Sequence, residues 1–226
     1  MLKFRDNIGI IGDTHEPFCR PDYLNFCIEI FDRCKCKTIV HIGDLVDNHS
    51  IGYFEHNPDG RSPLDEMSEA DKHLKRWFDA FPVVYLCLGN HDRMVVRKGV
   101  TNGLPNRVIK PFREIWRLPA GWVEDYSWEF HGVRFTHGTG FSGQNAHIKA
   151  AEAHRQSTVI GHTHSTAATN YLVSENDRIF AMNVGCGIDR KTYAFDYGRD
   201  LPKKPVLACG VVTDKGRYCQ VFPMSI

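Results

Sequence analysis

The sequence predicts a single α/β domain over residues 1–226, with a mixed or parallel sheet covered by helices. Three observations carry that expectation. Short apolar runs alternate with segments of helical periodicity. Several of those runs stop at a glycine followed at once by a polar, ligand-capable residue. The 226 residues, 42% of them hydrophobic, suffice for one buried core but not for two large domains.

Taken in order, Ile8 to Ile11 reads as a buried strand stopping at Gly12-Asp13. Asp22 to Cys34 places Leu24, Cys27, Ile28 and Phe31 at helical spacing, and Thr38 to Ile42 is a β-branched strand stopped by Gly43-Asp44. Ser62 to Phe81 predicts a long helix whose apolar face runs through Leu64, Met67, Ala70, Leu74, Trp77 and Phe78. Val83 to Leu88 is a third strand, halting at Gly89-Asn90. A helix is expected over Arg107 to Trp116, then strands Ser127 to Phe130 and Val133 to Thr136 about a His131-Gly132 turn. Ala146 to Arg155 is alanine-rich and helical, and Thr158 to Ile160 is a strand ending at Gly161-His162. The segments Arg178 to Val184, Val206 to Val212 and Arg217 to Phe222 read as β. In open α/β sheets, ligands gather outside the carboxyl ends of strands, where these glycine-led loops converge.

A net charge of +1 leaves no footprint of a dedicated nucleic-acid binder or membrane-surface protein, although bound metals add local charge that a residue count misses. The eight cysteines form no C-x-x-C pair, so free buried thiols are expected. No signal-peptide pattern opens the chain and no apolar run spans a membrane, which points to a cytoplasmic protein.

Of the twelve histidines, several sit among carboxylates, amides and glycines. The blocks are Gly12-Asp13-Thr14-His15, Gly43-Asp44-Leu45-Val46-Asp47, Gly89-Asn90-His91-Asp92, Thr136-His137-Gly138 and Gly161-His162-Thr163-His164. Each alone is weak; five in order, each after a strand, are not. Two divalent ions held about 3.5–4 Å apart need a bridging carboxylate flanked by imidazole and oxygen ligands. Asp13, His15, Asp44, Asn90, His137, His162 and His164 make such a mixed set, which suits manganese first and also admits iron, zinc, nickel or magnesium.

With these blocks the chain resembles the calcineurin-like metallophosphoesterases over roughly residues 8 to 165. The resemblance implies two mixed β-sheets packed as a sandwich and flanked by α-helices. It also implies that Asp13, His15, Asp44 and His164 hold one metal, that Asp44 bridges to the second, and that Asn90, His137 and His162 complete it. His91 resembles the family's catalytic histidine and Asp47 the carboxylate that orients it. The expected activity is phosphoester hydrolysis, in which a metal-bridging hydroxide attacks phosphorus in line and His91 assists the leaving oxygen.

Departures from the family pattern bear on the substrate. Phosphoprotein phosphatases of this family carry an arginine directly after the second block, where this chain has Asn48, and a glutamate where it has Asp92. An asparagine offers no cationic fork for a phosphomonoester dianion. A phosphodiesterase acting on a nucleotide or nucleic acid is therefore the leading expectation, and a phosphomonoesterase the alternative. A remoter one is a non-catalytic interaction module, but such members lose ligands that this chain keeps. No protein partner is evident.

Among other residues, Phe141, Asn145 and His147 follow the glycine-rich stretch after His137 and are candidate substrate contacts with Asn48; His49 and His56 lie in a loop that could touch substrate. His41 is expected in the core and His73 on a solvated helix face. Trp116, Trp122, Tyr126 and Trp128 are expected to pack the core rather than stack on bases.

Overall fold

The computed structural model describes residues 7–53, 59–192 and 202–225. In chain order the elements are β1 (Asn7–Ile11), α1 (Tyr23–Arg33), β2 (Cys36–His41), α2 (Pro63–Ala80), β3 (Val84–Cys87), α3 (Met94–Thr101), α4 (Phe112–Ile115) and β4 (Trp122–Asp125). They continue as β5 (Ser127–Phe130), β6 (Val133–Thr136), α5 (Ala146–His154), β7 (Ser157–Ile160), β8 (Ala167–Val173), β9 (Arg178–Val184), β10 (Ala208–Thr213) and β11 (Tyr218–Pro223).

The strands form two mixed sheets. One has the order β11-β10-β1-β2-β3-β4 and the other β5-β6-β7-β9-β8. In the first, β1 to β4 run parallel, β10 pairs antiparallel with β1 and β11 antiparallel with β10; in the second, β6, β7 and β9 are parallel between antiparallel edges. Between the sheets, Ile8, Ile10, Val40 and Ile42 meet Phe135, Val159, Phe180 and Met182 in one buried cluster. The other face of the first sheet is covered by α1 and α2, through Tyr23, Cys27, Phe31, Ala70, Leu74 and Trp77. On the far side, Ala146 and Ala150 of α5 pack against Ile160. The two mixed sheets flanked by helices are therefore as the sequence led one to expect.

Several elements differ from expectation. The helix expected over Arg107 to Trp116 is instead a 3₁₀ turn at Asn106–Val108 followed by the short α4. Pro111 separates them, because it lacks an amide donor and disfavours helical backbone at Lys110 before it. Helix α3 and strands β4 and β8 were not anticipated. On α2, Leu64 is 73% exposed. The buried stripe runs Glu66, Ala70, Leu74, Trp77, and a residue two positions before Glu66 lies on the opposite side. Glu66 holds its inward place because its carboxylate accepts the amides of His49 and Ser50 at 2.7 and 2.8 Å.

His73 is likewise not a plain solvated residue: its Nδ1 lies 2.8 Å from Oε2 of the fully buried Glu16. A buried carboxylate requires such partners, and Trp77 Nε1 supplies another at 2.7 Å. Trp116 and Trp122 are buried and Trp128 packs at the edge of the inter-sheet cluster. Tyr126, however, is 58% exposed in the turn that joins the two sheets.

Candidate metal centre

Because β1, β2 and β3 are parallel, the first three blocks leave the first sheet along one edge; β6 and β7 deliver the other two along the matching edge of the second. The loops continue the sheet pairing beyond the strands. The amides of Thr14 and His15 donate to Asp44 O at 3.1 and 2.9 Å, and Glu16 N donates to Leu45 O at 2.9 Å. The two edges are tied by Gly187 N to Asp13 O at 2.7 Å and by His162 N to Asp13 Oδ2 at 2.8 Å.

Buried histidine His41 locks this crest from below, as its expected core position suggested. Gly43 N donates to its Nδ1 at 3.2 Å, so Nε2 carries the proton and donates to Thr14 Oγ1 at 3.0 Å. Thr14 in turn donates to Leu45 O at 2.9 Å. Burial pushes the His41 pKa down to about 3, in keeping with a neutral ring.

Four non-glycine residues of the crest adopt left-handed backbone: His15 (φ 50°), Asp44 (φ 48°), Asn48 (φ 53°) and His162 (φ 63°). Such residues cost on the order of 1 kcal/mol each and gather where side-chain aim matters more than local comfort. Two glycines make room for the carboxylates. A Cβ on Gly89 would overlap Asp44 Oδ1, and one on Gly161 would overlap Asp13 Oδ1.

The side chains converge on two adjoining groups. Asp13, His15, Asp44 and His164 form one and Asp44, His137 and His162 the other, with ligand atoms in each within 4.8 Å of one another. In the first, His15 Nε2 and His164 Nε2 face each other at 3.1 Å, and His164 Nε2 lies 3.2 Å from Asp13 Oδ2. Asp13 Oδ1 is buried and has no hydrogen-bond partner among the described residues. Ligands about 2.1 Å from one ion and at right angles are about 3 Å apart, so these spacings fit a shared cation.

Asp44 belongs to both groups. Its Oδ2 lies 3.6 Å from His15 Nε2 and 3.1 Å from His137 Nε2, while Oδ1 accepts His91 N at 2.8 Å. In the second group, His137 Nδ1 contacts Ile42 O at 3.2 Å and Nε2 contacts Asn90 Oδ1 at 3.1 Å. Both nitrogens of that ring face oxygen acceptors. Burial opposes a charge there, but Asp44 and Asp13 outweigh it and hold the pKa up at about 9. Burial first, and then His137, push His162 down to about 4, which leaves its ring neutral and able to ligate. The residues present therefore fit two divalent cations.

His91 stands beside this pair at 15% side-chain exposure. Its Nδ1 donates to Asp47 O at 2.6 Å and lies 3.3 Å from Asp47 Oδ1. Burial lowers its pKa, but the Asp44 and Asp47 carboxylates dominate and raise it to about 10. Asp47 does two things, since its Oδ1 also bonds His15 Nδ1 at 2.5 Å. That bond turns His15 Nε2 toward the ligand cluster, a partnership that sequence reasoning had not drawn.

The remaining candidates are dispersed. Asn48 is buried and its Nδ2 donates to His91 O at 2.9 Å. Phe141 packs on α5 with its ring 5.8 Å from that of His154, and Asn145 is exposed at the start of that helix. His147 is buried and bonds Asn170 Oδ1 of β8 at 2.8 Å rather than joining the ligand cluster. His49 Nδ1 is 3.9 Å from Asp47 Oδ2, and His56 lies outside the described residues.

Supporting residues missed from the sequence include Asp92 as a loop tie, Glu16 and Asn183. Asp92 accepts Gly89 N at 2.9 Å and Val46 N at 3.2 Å, binding the second and third blocks together. Asn183 donates to Gly161 O at 3.3 Å and Thr163 Oγ1 at 2.5 Å, bracing the fifth. An asparagine amid Phe180, Ala181, Met182 and Val184 was the signal that could have found it.

The fold is similar to those of known structures at low sequence identity. An archaeal phosphodiesterase aligns over 96% of this chain and 99% of its own at 17% identity, with a TM-score of 0.48. A metallophosphoesterase from Sphaerobacter thermophilus aligns over 97% and 88% at 13% identity, with a TM-score of 0.49. Vacuolar Protein Sorting 29 from Cryptosporidium parvum aligns over 98% of both chains at 13% identity, with a TM-score of 0.48. No curated protein matches significantly in sequence. A sequence profile of the calcineurin-like phosphoesterases matches residues 7–185, the stretch that holds every candidate ligand described above, and the chain belongs to that family.

Proposed function

We propose that this protein is a two-metal phosphoester hydrolase that cleaves phosphodiesters, with a nucleotide or nucleic acid as its substrate class. The observation that carries the reading is the shared Asp44 carboxylate, which joins the two ligand groups while its other oxygen accepts the amide of His91. Asp13, His15, Asp44 and His164 would hold one ion and Asp44, Asn90, His137 and His162 the other, with manganese the first choice. When bound, such a pair polarises a phosphoryl oxygen and makes water acidic enough to serve as nucleophile near neutral pH.

The chain's own residues supply the rest. His91, tethered through Nδ1 to Asp47 O and standing beside the Asp47 carboxylate, keeps Nε2 for the departing oxygen, where it would serve as the acid. Asn48 supports the diester reading. Where the family's phosphoprotein phosphatases have an arginine, this side chain is neutral and committed to His91 O, so it offers no grip for a dianion. Free thiols at all eight cysteines suit a reducing, cytoplasmic setting.

The test uses 4-nitrophenyl phosphate and bis(4-nitrophenyl) phosphate with Mn²⁺. A diester preference is expected, with kcat falling about 10²–10⁴-fold in His91→Ala while two ions per chain are retained. A monoester preference would make the protein a phosphatase. A chain that binds no divalent ion would return it to the non-catalytic alternative.

A further inference from the structure

A cleft of about 500 Å³, within the range of small-ligand sites, is lined in part by Tyr53, Asp92, Arg93, Arg97 and Tyr126. Its position is set by chain connectivity. Arg93 follows His91 by two residues, so the cleft begins no more than about 7 Å along the backbone from the proposed acid. Helix α3 forms one wall, and Tyr126, at the turn linking the two sheets, forms another.

The lining is cationic and aromatic together. The Arg93 guanidinium carbon sits 5.0 Å from the centre of the Tyr126 ring, and that of Arg97 sits 5.4 Å from the Tyr53 ring. Lys98 Nζ is 4.0 Å from the same Tyr53 ring. The two tyrosines are 50% and 58% exposed, so burial does not account for their placement. Neither Arg93 nor Arg97 forms an ion pair among the described residues. Asp92 is buried, its oxygens accept Gly89 N and Val46 N, and it forms no ion pair with either arginine. In a chain of net charge +1, this gathers positive charge in one cleft.

We propose that this cleft is the subsite for a nucleoside arm of the substrate, with Tyr53 and Tyr126 stacking the base and Arg93 and Arg97 holding an adjoining phosphate. The inference rests on the phosphodiesterase reading above and gives it a substrate class. Aromatic faces accept any base, and guanidiniums add both stacking and phosphate contacts.

The test is equilibrium binding of adenosine 5′-monophosphate and of inorganic phosphate to the Mn²⁺-loaded protein. The wild type should bind the nucleotide more tightly than phosphate. Arg97→Ala and Tyr126→Ala should each weaken nucleotide binding about tenfold, and Tyr126→Phe should restore it. Arg178→Ala, whose guanidinium packs on Tyr171 and Tyr218 away from the cleft, serves as the control and should leave binding unchanged. Nucleotide bound no better than phosphate, or equally well by wild type and cleft variants, overturns the proposal. Because binding is read without turnover, a monoester preference with the nucleotide pattern intact would sink the diester reading and leave the cleft standing.

Discussion

The interior of the two-sheet sandwich and the crest above it are both deeply buried, yet they are built on opposite principles. Between the sheets, Ile8, Ile10, Phe135, Phe180 and Met182 fill space with apolar surface and leave nothing unpaired. A few residues further along the same strands, Asp13, His15, Asp44 and His137 are as fully buried, and Asp13 Oδ1 accepts no hydrogen bond among the described residues. Apolar burial is complete in the polypeptide itself, whereas clustered carboxylates in low dielectric need cations or protons to face them. The difference teaches that one set of strands provides rigidity and the other end of the same strands spends it on holding charge.

The comparison breaks most visibly at Asp44. Asp44→Asn should reduce bound metal from two ions to one or none, measured by elemental analysis, and lower activity by more than about 100-fold, the upper loss seen when only a ligand's supporting partner is removed. Two ions retained in that variant would mean the crest does not depend on a shared carboxylate. The interior should answer differently. Phe135→Ala is expected to cost about 3–5 kcal/mol in urea unfolding, by the same amount with Mn²⁺ or with chelator. A metal-dependent cost would show that the two regions are one energetic unit.

A smaller effect sharpens the boundary between them, where His41 sits. Its pKa is lowered to about 3 in the fold, so between pH 6 and 4.5 the unfolded chain takes up a proton that the folded chain refuses. Stability must therefore fall as pH falls, by on the order of 2 kcal/mol over that interval. Unfolding measured in chelator should show a shallower acid slope for His41→Asn; coincident slopes would mean the ring is not held neutral.

Much of this was legible along the chain, and the exceptions have physical causes. The five blocks could be read because each is local: a strand, a glycine and a ligand within a few residues. The helix expected across Pro111 failed because proline's missing donor outweighs the periodicity around it. Leu64 was assigned to the core because it is apolar, but the inward position went to Glu66, whose carboxylate had loop amides to satisfy. His73 was misplaced for the mirror reason, since its partner Glu16 lies fifty-seven residues away in sequence.

By itself, then, the sequence determined the class of fold, the family and the set of candidate ligands, because side-chain type and spacing carry that information. Tertiary structure alone decided that Asp47 reaches His15 as well as His91, and that Arg93, Arg97, Tyr53 and Tyr126 share a cleft. Those relations depend on which strands lie side by side and in which direction they run. Parallel pairing of β1, β2 and β3 brings loops from distant parts of the chain to one edge, and no local pattern of residues encodes that adjacency.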